Sequence, residues 1–236
     1  MRHPMLWALA AGLAVLLAAF AAPLWQLGRS VAPTQGLPWQ AQAGPEGTLA
    51  VFGLVLGRDT LADAQLRIGD GLQVALIARL GEVGSLEALA EPFAAGFVSG
   101  RLVLAFDAPA PALRRWREQA PRSEAMSDGV RRFALRAGDR DEARRATLSS
   151  LSFVPSVRLS EADVRQRFGA PAAVVELGAG VQALLYPAIS MAATLGGGNR
   201  TVLQYVAARD FESSLRAPLL AAAAAAAAPA ASVSRH

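Results

Sequence analysis

The chain repeats itself. The decapeptide TLADAQLRIG at residues 60–69 returns as SEADVRQRFG at residues 160–169. Ala62, Asp63, Arg67 and Gly69 recur as Ala162, Asp163, Arg167 and Gly169. Two further echoes follow in the same order. Ala88-Leu89 with Pro92 matches Ala183-Leu184 with Pro187, and Arg101-Leu102-Val103-Leu104 matches Arg200-Thr201-Val202-Leu203. Three echoes in one order imply an internal duplication. A fold built from this chain must therefore hold two units of one kind.

The shared decapeptide reads as a short capped helix. Thr60 and Ser160 are hydroxyl residues that accept from a free backbone N–H, and the aspartate three residues on suits the positive end of the helix. Gly69 and Gly169 close it where a left-handed residue is wanted, and Pro171 bars continuation. An Asp63–Arg67 or Asp163–Arg167 ion pair at i,i+4 fits one helix face. Strand-like runs follow each helix: residues 73–79 and 97–106 after the first, residues 181–186 and 201–207 after the second. Gly196, Gly197, Gly198 and Asn199 supply a hairpin turn between the last two runs. Residues 49–56 and 151–157 read as strands leading into the two helices.

These readings predict an α+β fold: two related units of short helices packed on antiparallel sheet, after an N-terminal transmembrane helix. The expected boundaries are an anchor or signal peptide over residues 1–27 and a linker over 28–48. A first unit over 49–107, an arginine-rich connection over 108–150 and a second unit over 151–211 follow. An alanine-rich tail over 212–236 is expected to be mobile, because a lone alanine helix buries little. Within the connection, helices are expected over residues 113–119 and 139–148 and a strand over 130–135.

Residues 5–25 form an uncharged apolar run of membrane-spanning length. Arg2 and His3 precede it and the next charge is Arg29, so the positive-inside bias places the remainder on the exported side. The expectation is an inner-membrane anchor with the folded part in the periplasm. The alternative is a soluble periplasmic or secreted protein, cleaved after the small-x-small pattern Ala19-Phe20-Ala21.

Missing residue types exclude several chemistries. The sequence has no cysteine and no lysine, and its two histidines are His3 and His236. Disulfide, thiolate and Schiff-base chemistry, the lysine-dependent phosphate loop and histidine triads are not available to it. Asp139, Asp141 and Glu142 lack the spacing of a calcium loop, and Gly178 and Gly180 lack that of a dinucleotide fingerprint. No catalytic residue, no cofactor and no metal is expected, and the chain reads as not an enzyme. Export argues against nucleic acid.

Charge concentrates between the two copies. Residues 108–150 hold ten arginines against six acids, a surplus of four that equals the net charge of the whole chain, +4. One reading is a contact for an anionic surface by Arg114, Arg115, Arg117, Arg131 and Arg132, with Trp116 at a membrane interface. The other is a solvated face with local ion pairs.

The pattern hydroxyl-x-x-Asp-x-x-x-Arg-apolar-Gly-x-Pro over residues 160–171, followed by Leu184-Leu185-Tyr186-Pro187, resembles the small outer-membrane lipoproteins of the SmpA/OmlA type. That resemblance implies two short helices on an antiparallel sheet and a non-enzymatic accessory role in outer-membrane barrel assembly. The tandem arrangement is similar to that of secreted β-lactamase inhibitor proteins. The likeness covers the second unit best, and it departs from the family in lacking the lipid-bearing cysteine. It implies a binding surface and a protein partner in the envelope, with membrane contact through the N-terminal helix.

Overall fold

The computed structural model describes residues 36–126, 129–196 and 201–227. The chain divides after Gln35 into two units, and all described residues belong to the second. They form an α+β protein with five α-helices and a large antiparallel sheet. The expected membrane helix lies outside them, and among them no helix is long and apolar enough to cross a membrane.

A small three-stranded sheet comes first, from β1 (Gln42–Ala43), β2 (Leu49–Val51) and β3 (Leu54–Leu56). Residues 49–56 read as one strand, but they fold as a hairpin. Phe52 and Gly53 both take positive φ, 54° and 73°, and turn the chain back on itself. Gly53 tolerates this because it has no Cβ. The preceding residues are no free linker: Leu37, Pro38 and Ala41 are buried. The buried hydroxyl of Tyr205 donates to the Pro38 carbonyl at 2.9 Å, and burial raises its pKa well above the ordinary value.

The large sheet holds β4 (Leu72–Arg79), β5 (Ser85–Ala95), β6 (Val98–Asp107), β7 (Ser123–Ala125), β8 (Val130–Phe133) and β9 (Thr147–Pro155). It continues with β10 (Ala173–Gly178), β11 (Val181–Tyr186), β12 (Met191–Leu195) and β13 (Val202–Val206). Its order is β10-β11-β12-β13-β9-β6-β5-β4-β8-β7. The helices are α1 (Leu61–Ile68), α2 (Ala110–Glu118), α3 (Ala137–Ala143), α4 (Glu161–Phe168) and α5 (Ala217–Ala227).

Alternation along the strands sets two faces. Leu102, Leu104 and Phe106 of β6 point to the inner face, where they join Leu86, Ala88, Leu151, Phe153, Leu203 and Tyr205. The small sheet, α1, α2 and α4 contribute Leu49, Leu54, Leu61, Ala64, Trp116 and Val164 to this core. Two irregularities keep the alternation in phase. Ser149 is an extra residue opposite Ala105, which lets both Leu148 and Leu151 face inward, and its hydroxyl donates to the Ala105 carbonyl at 3.2 Å. In β5 the register shifts between Ala90 and Phe93, at Glu91–Pro92, where proline leaves no N–H for the ladder.

Both echoed helices start and stop alike. Thr60 and Ser160 each accept from the backbone N–H of the aspartate three residues on, at 3.3 and 3.1 Å. Each aspartate accepts in return from the cap backbone, at 2.8 and 3.0 Å. Gly69 and Gly169 share φ of 84° with ψ of −160° and −167°, a region that belongs to glycine. Their arginines differ. Arg167 pairs with Asp163 at 3.3 Å and lies 5.4 Å from the centre of the Trp39 ring. Arg67 instead lies against Gly53, in space that a Cβ there would occupy.

Several expected elements changed. The helix expected over 139–148 ends at Ala143, because the following residues serve α1: Leu61 N–H donates to the Ala146 carbonyl and Ala62 N–H to that of Arg144, both at 3.0 Å. β12 lies between the runs expected to form one hairpin, and residues 197–200 of that turn lie outside the described residues. The third echo joins unlike positions: β6 is the third strand after α1, whereas β13 is the fourth after α4. The alanine tail is not left free over its described part. A π-helical turn, Phe211–Arg216, leads into α5, and Phe211 and Leu215 pack under it on Val175, Ala183, Leu185, Ala192 and Val206.

The caps predict a pH dependence. The Thr60 backbone N–H, then its hydroxyl, lowers the Asp63 pKa below its ordinary 3.8. A lowered folded pKa gives stability that is full above the unfolded pKa and is lost as pH falls through the folded one. Thr60→Ala is expected to cost about 1 kcal/mol in urea unfolding at pH 7. The stability advantage of wild type over Asp63→Ala is expected to shrink on acidification below the ordinary carboxylate pKa.

Candidate functional site

Two surfaces stand out, and they share β4 and Arg132 of β8. The first is the outer face of the large sheet. One row crosses it through Gln73, Leu89, Val103, Ser152, Gln204, Ala192 and Leu185. The π-helical turn and α5 cover its Ala192–Leu185 end. The Gln73–Ser152 end has no such helix over it among the described residues. Ile77, Leu89 and Val103 are half-buried there, framed by polar side chains. Arg101 binds Glu91 through two contacts at 2.8 and 3.0 Å, and this pairing raises the arginine pKa. Gln73, Ile77, Leu89, Val103, Arg132 and Met126 line a small cavity of about 190 Å³ on this open half.

The strands themselves explain this face. In β6 the buried Gly100, Leu102 and Leu104 alternate with Ser99, Arg101 and Val103. In β9, Ser150, Ser152 and Val154 lie opposite Leu151 and Phe153. An apolar stripe with a polar surround on one sheet face suits a protein contact more than open water.

The second surface is a cleft of about 540 Å³ between α1, the edge strands and α3. Leu61, Leu72, Val74 and Leu135 form its floor, and Arg122, Arg132, Arg140 and Arg144 stand around it with Glu124 and Asp141. Arg140 and Arg144 are one turn apart on α3 or at its C-cap. Arg122 pairs with Glu124 at 3.3 Å, and Arg132 donates to the Gln73 side chain at 3.4 Å.

The five arginines singled out in the sequence do not converge. Arg114 is exposed on α2. Arg115 pairs with Glu142 of α3. Arg117 donates to the Glu82 carbonyl in the β4–β5 turn. Arg131 donates to the Ser123 hydroxyl at 2.8 Å. Only Arg132 reaches the cleft, and its companions Arg122, Arg140 and Arg144 were hidden within the general run of charge. Trp116 is not at an interface with membrane; it is 1% exposed, in the core. Its Nε1 and the Oδ2 of the buried Asp139 have no hydrogen-bond partner among the described residues.

Asp139, Asp141 and Glu142 diverge: Arg136 holds Asp139 at 3.3 Å, Glu142 meets Arg115, and Asp141 faces the cleft. Among the described residues no group of three or more acids or histidines is placed to hold a metal.

The fold and these surfaces define an α+β protein with a half-covered antiparallel sheet. Comparisons with protein-family models, curated proteins and solved structures return no match.

The contrast between the two halves of the outer face is open to test. Leu185 is 2% exposed beneath the C-terminal helix. Leu185→Ala is expected to cost about 2–5 kcal/mol, and Leu89→Ala less than about 1 kcal/mol, in urea unfolding.

Proposed function

We propose that this protein is a noncatalytic interaction module of the bacterial envelope, which holds a protein partner on the open half of its outer sheet face. The observation that carries this reading is the half-covered face itself. The chain brings its own helix to one end of a continuous sheet surface and presents Ile77, Leu89 and Val103 at the other. A stripe of that kind, with an ion pair at its rim, matches the apolar centre and polar border of a protein interface. The matched caps of α1 and α4, each followed by an antiparallel meander, support a duplicated unit of the kind the SmpA/OmlA resemblance implies.

The tether is part of the same proposal. Residues 5–25 have the length and charge bias of an anchor, with the folded part on the exported side. The second reading, a periplasmic ligand-binding module or inhibitor, draws on the cleft beside α3, whose volume lies in the range of small-molecule sites.

Affinity capture tests the first reading. Full-length tagged protein is crosslinked in cells, extracted in mild detergent and compared with a Leu89→Arg/Val103→Glu double variant. The expected result is one reproducible envelope partner with wild type and its loss from the variant, at an unchanged thermal unfolding midpoint. A partner held equally by both proteins, or none held by either, contradicts the proposal.

A further inference from the structure

The arginine-lined cleft meets the open sheet face at Arg132, which lines both, but its chemistry points to a different ligand. Its floor is apolar and buried: Leu61 is 1%, Leu72 9% and Leu135 6% exposed. Its rim is cationic, with four arginines against Glu124 and Asp141. One of those acids is already taken, since Glu124 pairs with Arg122. Arg132, Arg140 and Arg144 make no ion pair among the described residues, Arg132 donating only to the neutral Gln73 side chain at 3.4 Å, while Arg115 and Arg136 beside them each have a carboxylate.

Three cations held around one recess repel each other, and an anion seated between them relieves that repulsion. Guanidinium groups match the paired oxygens of a phosphate or carboxylate, so they orient such a head as well as attract it. The leucines below offer burial to an attached apolar group and nothing to a bare inorganic anion. We infer that the cleft binds a single small amphipathic organic anion, an aryl or acyl group bearing one phosphate or carboxylate. The anionic head lies among Arg132, Arg140 and Arg144, and the apolar body rests on Leu61, Leu72 and Leu135. A flat charged surface fits less well, because the floor is recessed and Arg115 and Arg117 are already tied to Glu142 and the Glu82 carbonyl.

The test uses full-length protein in nanodiscs of neutral phospholipid, titrated calorimetrically with 1-naphthyl phosphate, inorganic phosphate and 1-naphthyl glucoside. The expected result is one saturable site for 1-naphthyl phosphate, with the other two probes at least about tenfold weaker. Arg140→Gln/Arg144→Gln is expected to weaken 1-naphthyl phosphate by about tenfold or more, and Arg132→Gln to weaken it too. Arg114→Gln/Arg131→Gln, outside the cleft, is expected to bind as wild type does. Both cleft arginines mutated in the pair are exposed, and glutamine is a good helix former, so the fold should persist. No binding, equal binding by wild type and both cleft variants, or inorganic phosphate bound as tightly as the naphthyl ester overturns the inference.

Discussion

The pairing of β9 on both its edges is the interaction on which the rest of the molecule depends. Leu151 and Phe153 lie opposite Leu104 and Leu102 of β6 on one side and opposite Tyr205 and Leu203 of β13 on the other. That double ladder joins two meanders, each begun by a capped helix, into one ten-stranded sheet. The start of the same strand also seats the first helix. Leu148 N–H donates to the Asp59 carbonyl, and the Leu148 carbonyl accepts from Gly57, both at 2.7 Å. A strand buried at the middle of a sheet leaves no backbone group to water, so weakening it exposes polar groups on both flanks.

The parts legible in the sequence were those set by local chemistry. Thr60 with Asp63, and Ser160 with Asp163, fix helix starts through contacts three residues apart, and Gly69 and Gly169 fix the stops by conformation alone. The strands Leu72–Arg79 and Val181–Tyr186 were legible as short apolar runs next to glycine or proline, without strict alternation. Met191–Leu195 was not. Its alanines carry no polar alternation, because Met191, Ala192 and Ala193 are all buried, on both faces. The hairpin at Phe52–Gly53 was hidden in an apolar run that reads equally well as one strand. The covering role of α5 was hidden because it depends on Val175, Leu185 and Val206, brought under it by the sheet rather than by neighbouring sequence.

The functional surfaces show the same division. The sequence marked the arginine-rich connection as the charged part of the chain, but partner choice within it is a matter of three-dimensional placement. Arg115 is spent on Glu142 and Arg117 on a turn carbonyl, whereas Arg132, Arg140 and Arg144 meet around a recess floored by α1 and β4. The open sheet face was equally invisible, since its row of residues is gathered from strands throughout the chain. β9 touches both surfaces: it sets Ser152 beside Val103, and the residues leading into it, Arg144 and Ala146, hold the start of α1 beside α3.

Hydrogen exchange read by mass spectrometry, on full-length protein across a urea series, tests the dependence on β9 most directly. Peptides from β5 and from β12 report on sheet segments at either side of it. Both are expected to lose protection at the same urea concentration, and Phe153→Ala is expected to move both midpoints together to lower urea. Two separate midpoints, with only one shifted by Phe153→Ala, would show two independent units and contradict a single sheet held by its central strand.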